Sequence, residues 1–112
     1  MASTDLIVHD VYFLLLDRSP QARQRLVDAC RHHLPGHAGI VFFGCGILEE
    51  SLDREVNDRD WDVGLHIIFR DLAAHDAYQI SGPHKQFIEE NQATWKHVRV
   101  FDTAATQTST PS

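Results

Sequence analysis

The first apolar stretch of the chain, residues 6–16, predicts a strand that is hydrophobic on both faces. It reads LIVHDVYFLLL and is rich in β-branched and aromatic residues, a composition typical of strands. Because successive side chains of a strand point to opposite faces, one face carries Ile7, His9, Val11, Phe13 and Leu15. The other face carries Leu6, Val8, Asp10, Tyr12, Leu14 and Leu16. Both sets are mostly apolar, so we expect both faces of this strand to be covered.

The rest of the pattern predicts three helices and three more strands. Ser19 followed by Pro20 is a typical helix start, with a capping hydroxyl before a proline at the first helical position. Apolar residues then recur at helical spacing as far as Leu34. The Ser-Gly-Pro run at 81–83 separates two later helices. The elements after the first helix are expected at 40–48 (strand), 61–69 (strand), 70–80 (helix), 84–95 (helix) and 96–102 (strand), with a charged loop at 49–60.

The order β-α-β-β-α-α-β predicts a ferredoxin-like α+β fold with a four-stranded antiparallel sheet and helices on one face. The other face would be bare, although the first strand presents apolar side chains on it. Because exposed apolar surface of this kind usually marks an interface, we predict a homodimer closed by facing sheets. The domain is expected to span residues 1–102, followed by a disordered Thr/Ser-rich tail at 103–112.

Alternation within the third strand, WDVGLHIIF, separates two sets of side chains. Trp61 and Val63 begin one face, which continues with Leu65, Ile67 and Phe69. Asp62 and His66 fall on the opposite face, toward the predicted interface. We therefore expect His66 to have a structural rather than a catalytic role.

Composition and charge argue against several classes of partner. The chain has 112 residues, enough for one domain, and a formal charge of −6, which argues against nucleic acid and anionic membranes as partners. The longest apolar run, VYFLLL, is far too short to cross a bilayer, and the N-terminus lacks the basic region of a signal peptide. Cys30 and Cys45 show no metal or redox spacing, so we expect free thiols in the cytoplasm.

The eight histidines do not form a recognisable metal motif. His33 and His37 are separated by Pro35 and Gly36, so they cannot share one helical face. No His-x-His pair or His-Glu-x-x-His motif occurs, and the Gly-Cys-Gly run at 44–46 lacks the third glycine of a dinucleotide fingerprint. We therefore expect neither a cofactor nor a specific metal site.

Tyr78 and His84 are the candidate catalytic residues, six positions apart across a helix break. An imidazole with a pKa of about 6.5 can take a proton from a carbon next to a carbonyl. A phenol can donate a hydrogen bond to the oxygen of the resulting enolate. The alternative is structural: His84 starts a helix after Pro83, and the Tyr78 hydroxyl packs on a backbone carbonyl. His9 is likewise either a core histidine or part of a pocket wall.

Four segments of the sequence resemble the stress-responsive dimeric α/β-barrel family over roughly residues 6–102. They are VHDVYFLLL, LPGHAGIVFFGCG, WDVGLHIIFRDLAAHDAYQISGPHKQF and VRVFD. The most specific is the third one, since the family has an aromatic-rich strand, a short helix with a tyrosine and a His-Pro-x-His turn there. The resemblance implies the ferredoxin-like fold and the homodimer through facing sheets.

Family members of the olivetolic acid cyclase type imply a role for individual residues. They close a linear polyketide by an aldol condensation, with a tyrosine and a histidine that match Tyr78 and His84. His9 matches a first-strand histidine that lines their pocket. Val27 and Val63 stand where that pocket has a tyrosine and a histidine, so the substrate-binding pocket expected here is more apolar.

The sequence is compatible with two functions. The first is cofactor-free cyclase or lyase chemistry on a β-carbonyl compound, bound as a small organic ligand. The second is a non-catalytic role as a stress-associated dimer or scaffold protein. A third, a cofactor-independent monooxygenase, is supported by no particular residue.

Overall fold

The computed structural model describes residues 5–106 and confirms the ferredoxin-like α+β fold. All strand pairs are antiparallel, and the sheet order is β2-β3-β1-β4, so β1 is an inner strand. The elements are β1 Leu6–Leu15, α1 Pro20–His33, β2 Ile40–Ile47, β3 Val63–Phe69, α2 Leu72–Gln79, α3 Gly82–Asn91, a 3-10 turn Gln92–Thr94 and β4 Trp95–Ala105. No helix in residues 5–106 is long and apolar enough to cross a membrane.

Side-chain caps determine where the helices begin. Ser19 caps α1 by accepting a hydrogen bond from the Ala22 amide, as the sequence predicts. Asp71 caps α2 by accepting a hydrogen bond from the Ala74 amide. Ser81 caps α3 by accepting from the His84 amide at 3.2 Å. The Ser-Gly-Pro run therefore starts α3 at Gly82, two residues earlier than expected, and only Ile80 and Ser81 separate α2 from α3.

The helices cover one side of the sheet, here called the helix-facing side, and leave the outer side free in this chain. In β1 the residues His9, Val11, Phe13 and Leu15 are buried on the helix-facing side, as their alternation predicts. The outer side of β1 is only half-buried. The buried core consists of Val11, Phe13, Leu15, Leu26, Val27, Cys30, Leu34, Val63, Leu65, Ile67, Phe69, Ala74, Tyr78 and Phe87.

The predicted alternation is wrong at residues 61 and 62. Asp62 is fully buried at 0% exposure, whereas the Trp61 ring packs on Tyr12 of the outer side with ring centres 5.0 Å apart. The reason is that β3 begins only at Val63, and the preceding bend is held by a 2.7 Å hydrogen bond from the Asp62 amide to the Phe13 carbonyl.

The last strand is longer than expected. Thr103, Ala104 and Ala105 belong to β4 and pair with the beginning of β1, so the domain does not end at residue 102. The backbone N–H and C=O groups of these residues pair with those of Leu6–Val8. This pairing extends the strand, because unpaired backbone groups would need other hydrogen-bond partners. Of the rest of the predicted disordered tail, Thr106 donates a hydrogen bond from its hydroxyl to Asp5 Oδ1 at 3.1 Å, and residues 107–112 lie outside the described residues.

Asp62 joins β1, α1 and β3 through its buried carboxylate. It accepts hydrogen bonds from the Leu15 amide at 2.8 Å and from Arg18 Nε at 3.0 Å, and Arg23 Nη2 lies 2.8 Å away. Burial raises the pKa of Asp62, but these three donors outweigh burial and hold the pKa below its ordinary value. The carboxylate therefore stays charged and anchors both arginines.

We expect Asp62→Asn to destabilise the domain by about 3 kcal/mol, because the two arginines lose a buried partner charge. Asp60→Asn is the matched control, since the Asp60 side chain is 77% exposed and its contact with Arg18 is long, at 3.9 Å. The control should change stability by less than about 0.5 kcal/mol. Urea unfolding of both variants tests this, and equal free energies of unfolding would contradict it.

Candidate active site

A cavity of about 420 Å³ lies between the helix-facing side of the sheet and helices α2 and α3. Most of its wall is apolar, and four ionisable groups besides Tyr78 face it. The lining residues are His9, Val11, Phe13, Leu65, His75, Tyr78, Gln79, His84, Phe87, Ile88, Trp95, Val98, Val100 and Asp102.

Tyr78 is held in the wall of the cavity by the last turn of α2. Ala74 and Tyr78, four residues apart, are the two buried residues of this helix. The Tyr78 side chain is 1% exposed, and its ring centre lies 4.7 Å from that of His84 and 5.1 Å from that of Phe69. The phenol is thus fixed beside an imidazole by packing on both sides.

His84 enters the same cavity from the first turn of α3. Its backbone amide donates a hydrogen bond to the Ser81 hydroxyl, which fixes the start of the helix. Its Nδ1 atom is buried and has no hydrogen-bond partner of good geometry in residues 5–106. The Gln79 backbone carbonyl is still close enough to the imidazole to act as a weak acceptor, and this contact opposes the lowering of the His84 pKa.

The environment keeps both groups neutral at neutral pH. Burial lowers the pKa of His84, and the neighbouring His9, His37 and His75 lower it further, against the opposing effect of the Gln79 carbonyl. Burial also raises the pKa of Tyr78. The imidazole is therefore able to accept a proton while the phenol retains its own.

His9 pairs with a residue on the neighbouring strand. It is 4% exposed, and it lies directly opposite Asp102 in the antiparallel register of β1 and β4. His9 Nδ1 lies 2.5 Å from Asp102 Oδ1, which is the hydrogen bond that a buried imidazole requires. The ring of His75, on α2, lies 5.3 Å from the His9 ring in an edge-on arrangement.

The structure brings three of the five predicted site residues to one cavity. His9, Tyr78 and His84 line it, although 75 positions separate His9 from His84 in the sequence. Val27 and Val63 do not line it, and both are packed in the core at 3% and 0% exposure. His66 lies on the outer side of the sheet, where its Nδ1 is 2.7 Å from Asp10 Oδ1.

Two residues of the site were missed from the sequence. His75 lies three residues before Tyr78, so the helix predicted at 70–80 already places it near the tyrosine, on the same face. Asp102 is the cross-strand partner of His9, which depends on a strand register that the sequence does not show. Ligand atoms of His9, His75 and Asp102 all lie within 4.8 Å of one another, and they are the group in residues 5–106 that could hold a metal ion.

Comparison with known families agrees with the fold and with the order of these elements. Residues 7–105 match the model of the stress-responsive A/B barrel domain, Dabb. The chain belongs to the Dabb family. This Dabb domain has no match among curated proteins.

Several solved structures share the fold of the Dabb domain at low sequence identity. A Dabb family protein with a ferredoxin-like fold from Mesorhizobium loti has a TM-score of 0.76 at 19% identity, covering 93% of this chain and 100% of that chain. A dimeric ferredoxin-like protein of unknown function from Thermobifida fusca has a TM-score of 0.73 at 14% identity, covering 91% and 92%. A hydroxynitrile lyase from Passiflora edulis has a TM-score of 0.73 at 14% identity, covering 96% and 100%.

The lowered pKa of His84 predicts how stability depends on pH. The folded domain binds a proton at His84 less readily than the unfolded chain, whose histidine has a pKa of about 6.5. The stability contributed by neutral His84 is therefore complete above about pH 6.5 and is lost as the pH falls through the folded pKa. Thermal melts from about pH 7.5 down to about pH 5 should show a steeper loss for wild type than for His84→Gln. Parallel curves would contradict the assignment.

Proposed function

We propose that the Dabb domain binds a small organic carbonyl compound in this cavity, and that His84 and Tyr78 perform cofactor-free lyase or cyclase chemistry on it. The observation that carries the proposal is the close pair of Tyr78 and His84 rings, 4.7 Å apart, in an apolar wall. A volume of about 420 Å³ lies within the range of small-molecule sites, about 300–1,000 Å³.

His84 acts as the general base in this proposal. Its neutral imidazole takes a proton from the carbon next to a carbonyl, and the electron pair of the broken C–H bond forms an enolate. In a cyclisation the enolate carbon attacks a second carbonyl carbon of the same molecule, and the oxygen of that carbonyl takes the proton back from His84. No electrons are gained or lost overall, so the reaction needs no redox partner.

Tyr78 acts as the hydrogen-bond donor to the oxygen that becomes negative. Its raised pKa means that the phenol keeps its proton at neutral pH and is available as a donor. A buried donor already fixed by packing requires little reorganisation as the charge develops. His9, held by Asp102, forms another part of the wall and supplies a polar contact for orienting the ligand.

The hydroxynitrile lyase of similar fold suggests a second substrate class for the same residues. In a cyanohydrin, a base takes the hydroxyl proton, the bond to the nitrile carbon breaks, and a carbonyl compound and cyanide leave. The non-catalytic alternative, a stress-associated dimer or scaffold, gives no role to an apolar cavity of about 420 Å³ that has His9, Tyr78 and His84 in its wall. We therefore favour the ligand-binding function.

The proposal includes a homodimer formed through the outer sides of two sheets. Phe42 and Phe101 are exposed there at 52% and 51%, and Tyr12 and Leu14 of β1 are half-buried. Apolar side chains on an uncovered face of a sheet are costly to leave in water. The solved Thermobifida fusca structure of the same fold is described as dimeric, which supports this arrangement.

We expect binding of small carbonyl compounds to depend on the polar pair. A panel of β-keto acids, phenolic ketones and aromatic cyanohydrins should include a compound that raises the melting temperature of the wild type. The same compound should be turned over, with Tyr78→Phe lowering the rate about 10²-fold or more and His84→Ala lowering it similarly.

His32→Ala serves as the control, since His32 is exposed on α1 and does not line the cavity. It should bind and turn over the compound as the wild type does. Circular dichroism and melting curves establish that each variant is folded. Binding without turnover would favour a carrier function, and absence of any ligand in the panel would favour the non-catalytic dimer.

Leu14→Asp should convert the dimer to a monomer. An unpaired charge buried between the two facing sheets would cost about 3 kcal/mol or more of dimerisation free energy. Leu72→Asp is the control, since Leu72 is 58% exposed at the start of α2 on the helix side. Light scattering at micromolar concentration measures both. A monomeric wild type, or a dimeric Leu14→Asp variant, would contradict the interface.

A further inference from the structure

We propose that His9, His75 and Asp102 form a binding site for a divalent transition-metal ion in the wall of the cavity. Their ligand atoms lie within 4.8 Å of one another, and all three side chains face the same space. Two imidazoles and one carboxylate suit ions such as Zn²⁺ and Co²⁺, and they leave coordination positions open on the cavity side. The inference goes beyond the proposed function and does not depend on it.

The sheet already fixes two of the three ligands. His9 and Asp102 are direct partners in the register of β1 and β4, so their side chains emerge side by side on the helix-facing side. His9 is 4% exposed and rigidly packed, with its ring 6.2 Å from that of Phe69. The ion would take the place of the proton between His9 Nδ1 and Asp102 Oδ1.

The third ligand comes from α2 and is already oriented. His75 Nδ1 lies 3.0 Å from Asp76 Oδ1, and because a carboxylate can only accept, this nitrogen carries the hydrogen and donates a hydrogen bond to it. The lone pair of His75 is then on Nε2, where the contact at 3.4 Å is a long one to the Gln79 side-chain nitrogen. A carboxylate behind a metal-binding histidine is the usual arrangement in metal sites.

Metal binding requires a small rearrangement that the side chains allow. Bonds of about 2.1 Å in a tetrahedral site separate neighbouring ligand atoms by about 3.4 Å. The His9–Asp102 distance of 2.5 Å must therefore open, and His75 must approach. Asp102 is 46% exposed, which lets its carboxylate rotate and also gives an ion access from solvent. The formal charge of −6 favours the approach of a cation.

Tyr78 and His84 are not among these ligands, so an ion would leave the proposed proton-transfer pair free. The open coordination positions would face the same cavity and would take a carboxylate or carbonyl oxygen of a bound molecule. Metal occupancy would thus select ligands that carry such an oxygen. This predicted selectivity is separate from the binding of the ion itself.

The test is a titration of the full chain, freed of metal with a chelator, with Co²⁺ and Zn²⁺. Visible absorption of Co²⁺ reports coordination by nitrogen and oxygen, and calorimetry with Zn²⁺ gives the affinity. We expect one strong site in the wild type, and a loss of affinity of more than about 10-fold in His75→Ala and in Asp102→Asn. Asp76→Asn, which removes only the positioning carboxylate, should weaken binding about 10-fold and retain the Co²⁺ spectrum.

His32→Ala is the control for adventitious binding at surface histidines, and it should bind like the wild type. Melting curves of each metal-free variant show that it is folded. The site is refuted if the wild type binds no Co²⁺ or Zn²⁺, or if His75→Ala and Asp102→Asn bind with unchanged affinity. Because no carbonyl compound is present, failure of this experiment says nothing about the activity of Tyr78 and His84.

Discussion

The helices cover only one side of the sheet, and this constraint decides the surroundings of every residue in the inner strand β1. Every second side chain from His9 to Leu15 is buried under the helices, while the side chains between them face outward. His9 and Asp62 are the two polar side chains that are buried in residues 5–106. Each side chain can be buried at low cost because it lies next to a partner of suitable charge or hydrogen-bonding capacity.

The two buried polar residues anchor the two ends of the same strand. Asp62 binds the amide of Leu15 and two arginines at the end of β1, which ties α1 to the sheet. His9 binds Asp102 near the beginning of β1, at the edge of the cavity. The Asp62 interactions therefore hold α1 on the sheet, while the His9–Asp102 hydrogen bond holds an imidazole in the wall of the cavity.

The short connection between α2 and α3 creates the pair at the centre of the proposed site. Tyr78 lies at the end of one helix and His84 at the start of the next, and the Ser81 cap turns the chain between them. The Ser81 hydroxyl also bonds His37 Nε2 at 2.9 Å, which joins the turn to the segment before β2. A phenol and an imidazole are thus brought into contact by helix capping and packing, and their pKa values shift because the contact is buried.

The sequence by itself determined the fold class, the start of α1, the buried row of β1 and the candidate pair Tyr78 and His84. These features rest on local patterns: alternation, a Ser-Pro cap and a helix break between two nearby residues. Only the tertiary structure decided that Asp62 is buried, that Asp102 and His75 stand beside His9, and that Val27 and Val63 belong to the core. Those outcomes depend on strand register and on how helices pack across the sheet, and contacts between residues far apart in the chain leave no local pattern to detect.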